Sequence, residues 1–266
     1  MKLIAGPCQH ESYELSNEIA TECKKICEAH GFDYIFKASF DKANRTNNIG
    51  KRGIGDTMWE RINSFIDDMG KMDKFKKTTD IHEPWQAVEL AKAVSVLQIP
   101  AFLSRQTDLI KAACETGRIV SIKKGQFMAP WDLRGVVSKC EKAEELWLME
   151  RGTSFGYNNL VVDYAAMQKN IEYYDRVQQF FDDGKYVMSH FFFDATHSVQ
   201  KIGSLGGHSR DYVRGMAKAA AAVGCKNFFF EVHPNPIASP SDKHNTVALK
   251  DFPAIVEDIA KIIKLI

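Results

Sequence analysis

The stretch FFFDATHSVQ, residues 191–200, decides the fold. It begins as an apolar run, typical of a buried strand, and continues into Asp194 and His197. An apolar interior does not tolerate an acid and an imidazole without partners, because burying such groups alone is costly. We therefore expect this strand to cross a core and to end where other polar groups meet it.

Seven other runs of this kind occur along the chain, and a longer amphipathic segment follows each one. Helical periodicity is clearest over 15–31 and 211–225, where Gly31 and Gly224 mark the ends. This alternation predicts βα units on a parallel sheet, in the α/β class. Eight units in 266 residues, close to the roughly 250 typical of the fold, predict one (β/α)8 TIM barrel, a single catalytic domain over 1–266. The eight predicted strands are 3–8, 34–40, 77–83, 96–102, 120–125, 146–152, 191–197 and 227–234.

The composition excludes some classes of partner. Lys and Arg number 35 against 34 acids, and this balance argues against nucleic acid or an anionic membrane surface as the main partner. The start of the chain turns polar too soon for a signal peptide, and no apolar run is long enough to span a membrane. Six cysteines without a pairing pattern suit a reducing compartment, so we expect a cytoplasmic protein. No dinucleotide or P-loop glycine motif occurs.

Chemically useful residues lie at the ends of nearly all the predicted strands. The carboxyl ends of all eight strands of a (β/α)8 barrel meet at one rim, where the active sites of this fold lie. Any one of these residues taken alone is more simply a satisfied structural group, but the whole set predicts a shared pocket. The set comprises Cys8, Lys37, Asp80, His82, Phe102, Lys123, Lys124, Arg151, His197, Glu231 and His233.

One group at this rim has the chemistry of a metal site. Cys8, His197 and Glu231, with Asp242 in the loop after the last strand, offer a thiolate, an imidazole and two carboxylates. Such donors suit a divalent transition metal such as Zn, Fe or Mn better than Mg. Their spacing matches no local metal motif. Without the barrel, a buried thiol, a core histidine bonded to Asp194 and surface acids would be the simpler interpretation.

A second group is cationic and suits phosphates and carboxylates, which Arg binds as a fork and Lys as a point charge. Its members are Lys37, Lys42, Arg45, Lys123, Lys124 and Arg151. Successive strand residues point to opposite faces, so one of Lys123 and Lys124 should point into the barrel. There a lysine needs an anion to neutralise it.

Loops at the same rim complete the predicted pocket. Gly152 and Gly156 let the backbone approach a ligand closely, while Pro100 and Phe102 supply an apolar wall. The glycine-rich segment 203–212 is predicted to be a loop that covers the site.

Eight motifs resemble those of the 3-deoxy-D-manno-octulosonate 8-phosphate synthases, in that family's order and over essentially the whole chain. KANR in particular is similar to this family rather than to the related 3-deoxy-D-arabino-heptulosonate 7-phosphate synthases, which typically carry Lys-Pro-Arg-Thr there. The motifs are IAGPCQHES (4–12), FKASFDKANR (36–45), TDIHEPWQA (79–87), LQIPAFLSRQTDL (97–109), IKKGQFMAPWD (122–132), ERGTSFGYNNLVVD (150–163), DATHSVQ (194–200) and EVHPNP (231–236).

The resemblance implies a condensation of phosphoenolpyruvate with D-arabinose 5-phosphate and water, which releases phosphate and feeds lipopolysaccharide synthesis. It implies a cytoplasmic homotetramer whose partners are small phosphorylated substrates. Lys42, Lys123, Arg151 and Asp80 are then the catalytic residues. The resemblance assigns substrate binding to Lys37, Asn44, Arg45, Pro100, Ala101, Phe102, Gln126 and Gln200.

The family has metal-dependent and metal-independent branches, and the latter has Asn at the position of Cys8. The resemblance therefore implies a metal-dependent member with Cys8, His197, Glu231 and Asp242 as ligands. Thr46 and Asn47 replace the Ser-Ser pair that many members have, and the loop after 194–200 looks shorter. Two alternatives stay open: a related synthase that uses erythrose 4-phosphate, and a non-catalytic barrel that binds sugar phosphates as a sensor.

Overall fold

A computed structural model describes residues 1–44, 50–157, 159–200 and 209–266. Eight parallel strands form its centre. Each pairs with the next in sequence, and the last pairs with both the seventh and the first, which closes the sheet. The strands are β1 (Lys2–Gly6), β2 (Asp33–Lys37), β3 (Lys76–Asp80), β4 (Val96–Ile99), β5 (Ile119–Lys123), β6 (Glu145–Glu150), β7 (Tyr186–Asp194) and β8 (Phe228–His233).

An α-helix follows each of these strands, so the prediction of a (β/α)8 barrel is confirmed. Side chains cap several helix starts: Ser12 accepts a hydrogen bond from the amide of Leu15, and Thr57 and Glu60 form a capping box. The helices are α1 (Tyr13–Ala29), α2 (Met58–Gly70), α3 (Pro84–Leu90), α4 (Thr107–Glu115), α5 (Leu133–Val137), α6 (Tyr164–Tyr174), α7 (Arg210–Ala222) and α8 (Phe252–Ile263). None of the helices in the described residues combines the length and apolarity that a membrane span needs.

Short strands and turns lie outside the eight βα units. The strands Thr153–Phe155 and Asn159–Val161 form an antiparallel pair after β6. Val177–Phe180 pairs with the start of β7, and Val247–Ala248 pairs in parallel with the end of β8. Short 3-10 turns lie at Ala101–Leu103, Pro130–Asp132, His197–Val199, Pro236–Ala238 and Leu249–Asp251.

Two apolar layers hold the barrel together. Alternate strand residues fill the inside, and the others pack outward against the helices. Gly6 lies where β1 and β2 approach each other, since a Cβ there would lie 2.0 Å from the carbonyl oxygen of Lys37. The inner layer consists of Ile4, Ile35, Val96, Ile119, Trp147, Met149, Phe192 and Phe229.

The strand limits differ from the sequence prediction mainly at the rim. The predicted strands 96–102 and 191–197 end earlier, at Ile99 and Asp194, because a 3-10 turn follows each strand. The seventh strand also begins earlier, at Tyr186, because it pairs with Val177–Phe180. The predicted covering loop 203–212 lies mostly outside the described residues, and from Arg210 it belongs to α7.

Candidate active site

A cavity of about 380 Å³ lies at the carboxyl ends of the strands. Its lining is polar because the strand residues one step beyond the inner apolar layer point into the same space: Lys37 lies two positions after Ile35, and Glu231 two after Phe229. The lining residues are Lys37, Ser39, Lys42, Asn44, Asp80, Gln98, Pro100, Ala101, Phe102, Lys123, Gln126, Arg151, His197, Gln200, Glu231, Pro240, Ser241 and Asp242.

Three potential metal ligands meet beside this cavity. One ligand atom from each of Cys8, Glu231 and Asp242 lies within 4.8 Å of the other two, and the Cys8 Sγ lies 3.2 Å from the Asp242 Oδ2. Burial, reinforced by the charge of Glu231, raises the pKa of the Cys8 thiol. Lys37 balances the acids, because its Nζ lies 3.1 Å from the Glu231 Oε1.

His197 faces this cluster with one ring nitrogen. Its Nδ1 lies 2.8 Å from the Asp194 Oδ2, and its Nε2 lies 3.6 Å from the Glu231 Oε1. Burial alone would raise the pKa of Asp194, but His197 and Lys123 outweigh it and hold that pKa below its usual range. Since an ionised carboxylate only accepts hydrogen bonds, Asp194 accepts from Nδ1 and orients the ring so that Nε2 faces the cluster.

Cations occupy the other side of the cavity. The Lys123 Nζ lies 2.6 Å from the Asp194 Oδ2 and 3.6 Å from the centre of the Phe229 ring. Arg151 donates from Nη2 to the Gln200 Oε1 at 2.7 Å, and burial lowers the pKa of its guanidinium. Its Nη1 is buried and has no hydrogen-bond partner among the described residues. This donor is therefore available to an anionic ligand.

Gln200 connects the two sides. Its Oε1 accepts from Arg151, and its Nε2 donates to the Asp242 Oδ1 at 2.9 Å. One side chain thus bridges the cationic wall and the ligand cluster.

Several further residues of the cavity lining carry a buried polar atom without a hydrogen-bond partner. The Oδ1 of Asp80, the Oε1 of Gln126 and the Oε1 of Gln98 are buried without a hydrogen-bond partner within the described part of the chain. The other oxygen of Asp80 lies 3.1 Å from the His82 Nε2. Unsatisfied buried groups each cost about 1–3 kcal/mol, so their concentration here indicates a binding site for a polar ligand.

The sequence is similar to known proteins over nearly its whole length. The sequence model described as DAHP synthetase I family matches residues 1–265. The chain belongs to the DAHP synthetase I family. It is 44% identical to a 2-dehydro-3-deoxyphosphooctonate aldolase of Fusobacterium nucleatum, over 98% of this chain and 91% of the relative. Aldolases of the same name from Rhizobium meliloti and Agrobacterium fabrum are each 44% identical over 97% of this chain, and over 88% and 87% of the relatives. Within the family the chain therefore groups with these aldolases. Their name is an alternative name for 3-deoxy-D-manno-octulosonate 8-phosphate synthase, so the resemblance stated from the motifs is confirmed.

The site residues proposed for this DAHP synthetase I family member come together almost completely. All residues that the resemblance assigned to the site line the cavity except Cys8, which lies beside it in the ligand cluster, and Arg45, which lies outside the described residues. Of the other rim residues predicted from the sequence, His82, Lys124 and His233 do not line it. Their roles stay predictions. Lys123 is the lysine that points inward, whereas Lys124 lies outside the barrel wall and does not line the cavity.

Sequence reasoning missed four lining residues: Ser39, Gln98, Pro240 and Ser241. Gln98 could have been found, since it lies two positions after the inward-facing Val96 and two before Pro100. Ser39 could have been found in the same way, since it lies two positions after the inward-facing Lys37. Pro240 and Ser241 carry no such signal, because the loop after β8 has no period.

The donor set in this DAHP synthetase I family member fits a divalent transition metal. The Oε2 of Glu231 is fully buried and has no hydrogen-bond partner in the described residues. Together with the Cys8 thiol, the Asp242 carboxylate and the nearby His197 imidazole, Glu231 supplies the kinds of ligand that borderline metals prefer.

Proposed function

We propose that this protein condenses phosphoenolpyruvate with D-arabinose 5-phosphate and water to give 3-deoxy-D-manno-octulosonate 8-phosphate and phosphate, in lipopolysaccharide biosynthesis. The observation that carries the proposal is a single cavity with Lys37, Lys42, Lys123 and Arg151 in its lining and the Cys8, Glu231 and Asp242 cluster beside it. Both substrates are anionic, and the relatives named 2-dehydro-3-deoxyphosphooctonate aldolase support the choice of reaction.

Phosphoenolpyruvate would lie along the cationic wall. Lys42, Lys123 and Arg151 would hold its phosphate and carboxylate, Arg151 with the Nη1 that lacks a protein partner. Gln126 and the turn of Pro100, Ala101 and Phe102 would lie beside them. Gln200 keeps Arg151 in place through its bond to Nη2.

The sugar phosphate would occupy the remaining space. Lys37, Asn44 and Asp80 would contact its hydroxyls and aldehyde end, and Arg45 would bind its terminal phosphate. The unpaired Oδ1 of Asp80 would then accept from a hydroxyl group.

In the reaction, C3 of phosphoenolpyruvate forms a bond to the aldehyde carbon, and the aldehyde oxygen takes up a proton. The oxygen of water forms a bond to C2 and loses a proton. The bond between C2 and the phosphate oxygen then breaks, the C2 hydroxyl gives its proton to the departing phosphate, and C2 becomes a ketone. Lys123 and Arg151 stabilise the charge of the departing phosphate and of the carboxylate throughout.

We further propose that Cys8, His197, Glu231 and Asp242 hold a divalent metal, of which Zn, Fe and Mn are the candidates. When bound, such an ion polarises the aldehyde oxygen or positions and activates water. Asp194 orients His197 by accepting from Nδ1, which directs Nε2 toward the other ligands.

The decisive test measures phosphate release from phosphoenolpyruvate and arabinose 5-phosphate by chelator-stripped protein, with and without added Mn or Zn. Activity that returns only with metal supports both the reaction and the metal. Activity without metal supports the reaction and contradicts the metal. No activity in either case contradicts the reaction.

Two alternatives are tested in the same assay. Competition between arabinose 5-phosphate and erythrose 4-phosphate discriminates the related heptulosonate synthase, and thermal stabilisation by ligand without turnover would point to a sugar-phosphate sensor. We also propose a cytoplasmic homotetramer of the transferase class, and light scattering on the purified protein tests the tetramer.

A further inference from the structure

Lys124 is the one rim cation that the proposed function leaves without a role. It follows the inward-facing Lys123, so its side chain leaves the barrel on the opposite side. Its side chain is fully buried. A buried ammonium is costly, so its surroundings must satisfy it.

Acceptors from two loops surround this ammonium. The Lys124 Nζ donates to the Thr153 Oγ1 at 2.8 Å and lies 3.5 Å from the Glu150 Oε1. The carbonyl oxygens of Gly125 and Met128 lie 3.3 Å away, and that of Gly152 lies 3.4 Å away. Lys124 therefore connects the loop after β5 with the loop after β6.

These two loops carry adjacent parts of the cavity wall. Gln126 lies between Gly125 and Met128, and Arg151 lies between Glu150 and Gly152. Glu150 also fixes the backbone at this point, because its Oε1 accepts from the amides of Arg151, at 2.8 Å, and Gly152. A further bond from the amide of Ser154 to the carbonyl of Gln126, at 2.8 Å, runs between the loops.

We propose that Lys124 is a positioning residue, which with Glu150 holds the two loops at the separation that lets Gln126 and Arg151 bind one anion together. This inference rests on the proposed function, in which that anion is phosphoenolpyruvate. Small displacements matter here, since a shift of about 1 Å in a binding group can cost on the order of a hundredfold in rate.

The variants separate positioning from simple stability. Lys124→Met alone leaves the buried Glu150 carboxylate without its lysine, which destabilises the fold. The double variant Lys124→Met with Glu150→Gln removes both charges, while the Gln oxygen still accepts from the two backbone amides. Thr153→Val removes one loop contact of Lys124 and changes no charge.

A matched control is Lys77→Met. Lys77 is another buried lysine outside the barrel wall, and its Nζ donates to the carbonyls of Met69 and Met72, at 2.8 and 3.2 Å, at the end of α2. These two hydrogen bonds involve neither the loop after β5 nor the loop after β6. Its replacement should lower the melting temperature and leave phosphoenolpyruvate binding unchanged.

The experiment measures KM for each substrate, calorimetric binding of phosphoenolpyruvate alone, and the melting temperature. For the double variant we expect KM and Kd for phosphoenolpyruvate to rise about tenfold or more, with KM for the sugar phosphate within about twofold. Thr153→Val should weaken phosphoenolpyruvate binding by a smaller factor at an unchanged melting temperature.

The proposal is overturned if both the double variant and Thr153→Val bind phosphoenolpyruvate as tightly as the unaltered protein. It is equally overturned if Lys77→Met weakens that binding as much as the double variant does. A failure of the unaltered protein to turn over its substrates would contradict the proposed function instead. The calorimetric comparison would still decide the role of Lys124.

Discussion

Individual residues in this barrel take their chemistry from their neighbours. Cys8 alone would be an inert buried thiol, but its Sγ lies 3.2 Å from the Asp242 Oδ2, in a cluster with Glu231. Bringing two acids and a thiol together is unfavourable even beside Lys37, because burial and like charge raise the pKa of the thiol. A bound metal would relieve this cost by stabilising the thiolate.

Cys8→Asn should abolish tight metal binding. Asn supplies a neutral amide in place of a thiolate, so we expect the metal content to fall at least about tenfold. Elemental analysis of the purified variant measures this. Cys225→Ala is the control, since that buried thiol lies outside the cluster and donates to the carbonyl of Asn227. An unchanged metal content in Cys8→Asn would refute the assignment of Cys8.

Arg151→Lys should lower kcat/KM for phosphoenolpyruvate about ten- to a hundredfold, because one hydrogen bond to a charged group contributes about 1.5–3 kcal/mol. Lys keeps the charge but has no planar guanidinium, so it cannot donate to Gln200 from one nitrogen and to an anion from a second. Steady-state kinetics measures the loss. The exposed Arg118, which donates to the carbonyl of Ala91, provides a matched Arg→Lys control that should keep full activity. Equal kinetics in both variants would contradict the role of Arg151.

At the scale of elements, the segment between β2 and α2 presents Lys42 and Asn44 to the cavity, and a buried acid organises it. Asp41 is fully buried and accepts from the Arg52 Nε at 2.8 Å, and its Oδ1 lies 3.3 Å from the Arg61 Nε. The amide of Lys42 donates to the carbonyl of Arg52 at 2.8 Å. The two ends of the segment are thereby tied together.

Asp41→Asn should raise KM for both substrates, because the segment presents Lys42, assigned to phosphoenolpyruvate, and Asn44, assigned to the sugar phosphate. The loss of charge leaves the buried Arg61 without its anion and loosens the segment that presents Asn44. Kinetics with each substrate varied in turn tests this expectation. Thr57→Ala provides the comparison: loss of the capping box should cost about 1 kcal/mol of stability and leave both KM values unchanged. Unchanged KM values for both substrates in Asp41→Asn would refute this role of Asp41.

At the scale of the whole molecule, closure of the barrel assembles the site. Cys8 and Asp242 are 234 positions apart in sequence and meet through a hydrogen bond. Lys37 and Glu231 are 194 positions apart, and they form an ion pair. Ligands that bind such a site bind only the folded chain, so they stabilise it.

Metal and substrate should therefore raise the melting temperature independently of turnover. Phosphoenolpyruvate at a hundred times its Kd should add about 2.7 kcal/mol of stability, and removal of the metal by a chelator should lower the melting temperature. Differential scanning calorimetry measures both. In Cys8→Asn the chelator should have no further effect. A chelator that leaves the melting temperature of the unaltered protein unchanged would contradict the metal site.

The sequence predicted most residues that line the cavity, but not the buried residues that hold those loops in place. Lys123, Arg151 and Glu231 could be found because each lies within two positions of the end of an apolar run. Pro240 and Ser241 could not, since they lie in a loop whose path depends on its contacts. The role of Asp41 was equally hidden, because nothing local indicates that this acid is buried against two arginines.

By itself, the sequence determined the closed eight-unit barrel and the rim at which its polar residues gather. Both follow from local properties: apolar runs alternate with amphipathic segments, and successive strand residues face opposite sides. Only the tertiary structure decided that Lys123 enters the cavity while Lys124 joins two loops outside it, and that Gln200 bridges Arg151 and Asp242. Those choices depend on contacts between distant segments, which exist only once the sheet has closed and each charge has been neutralised by a partner from another strand.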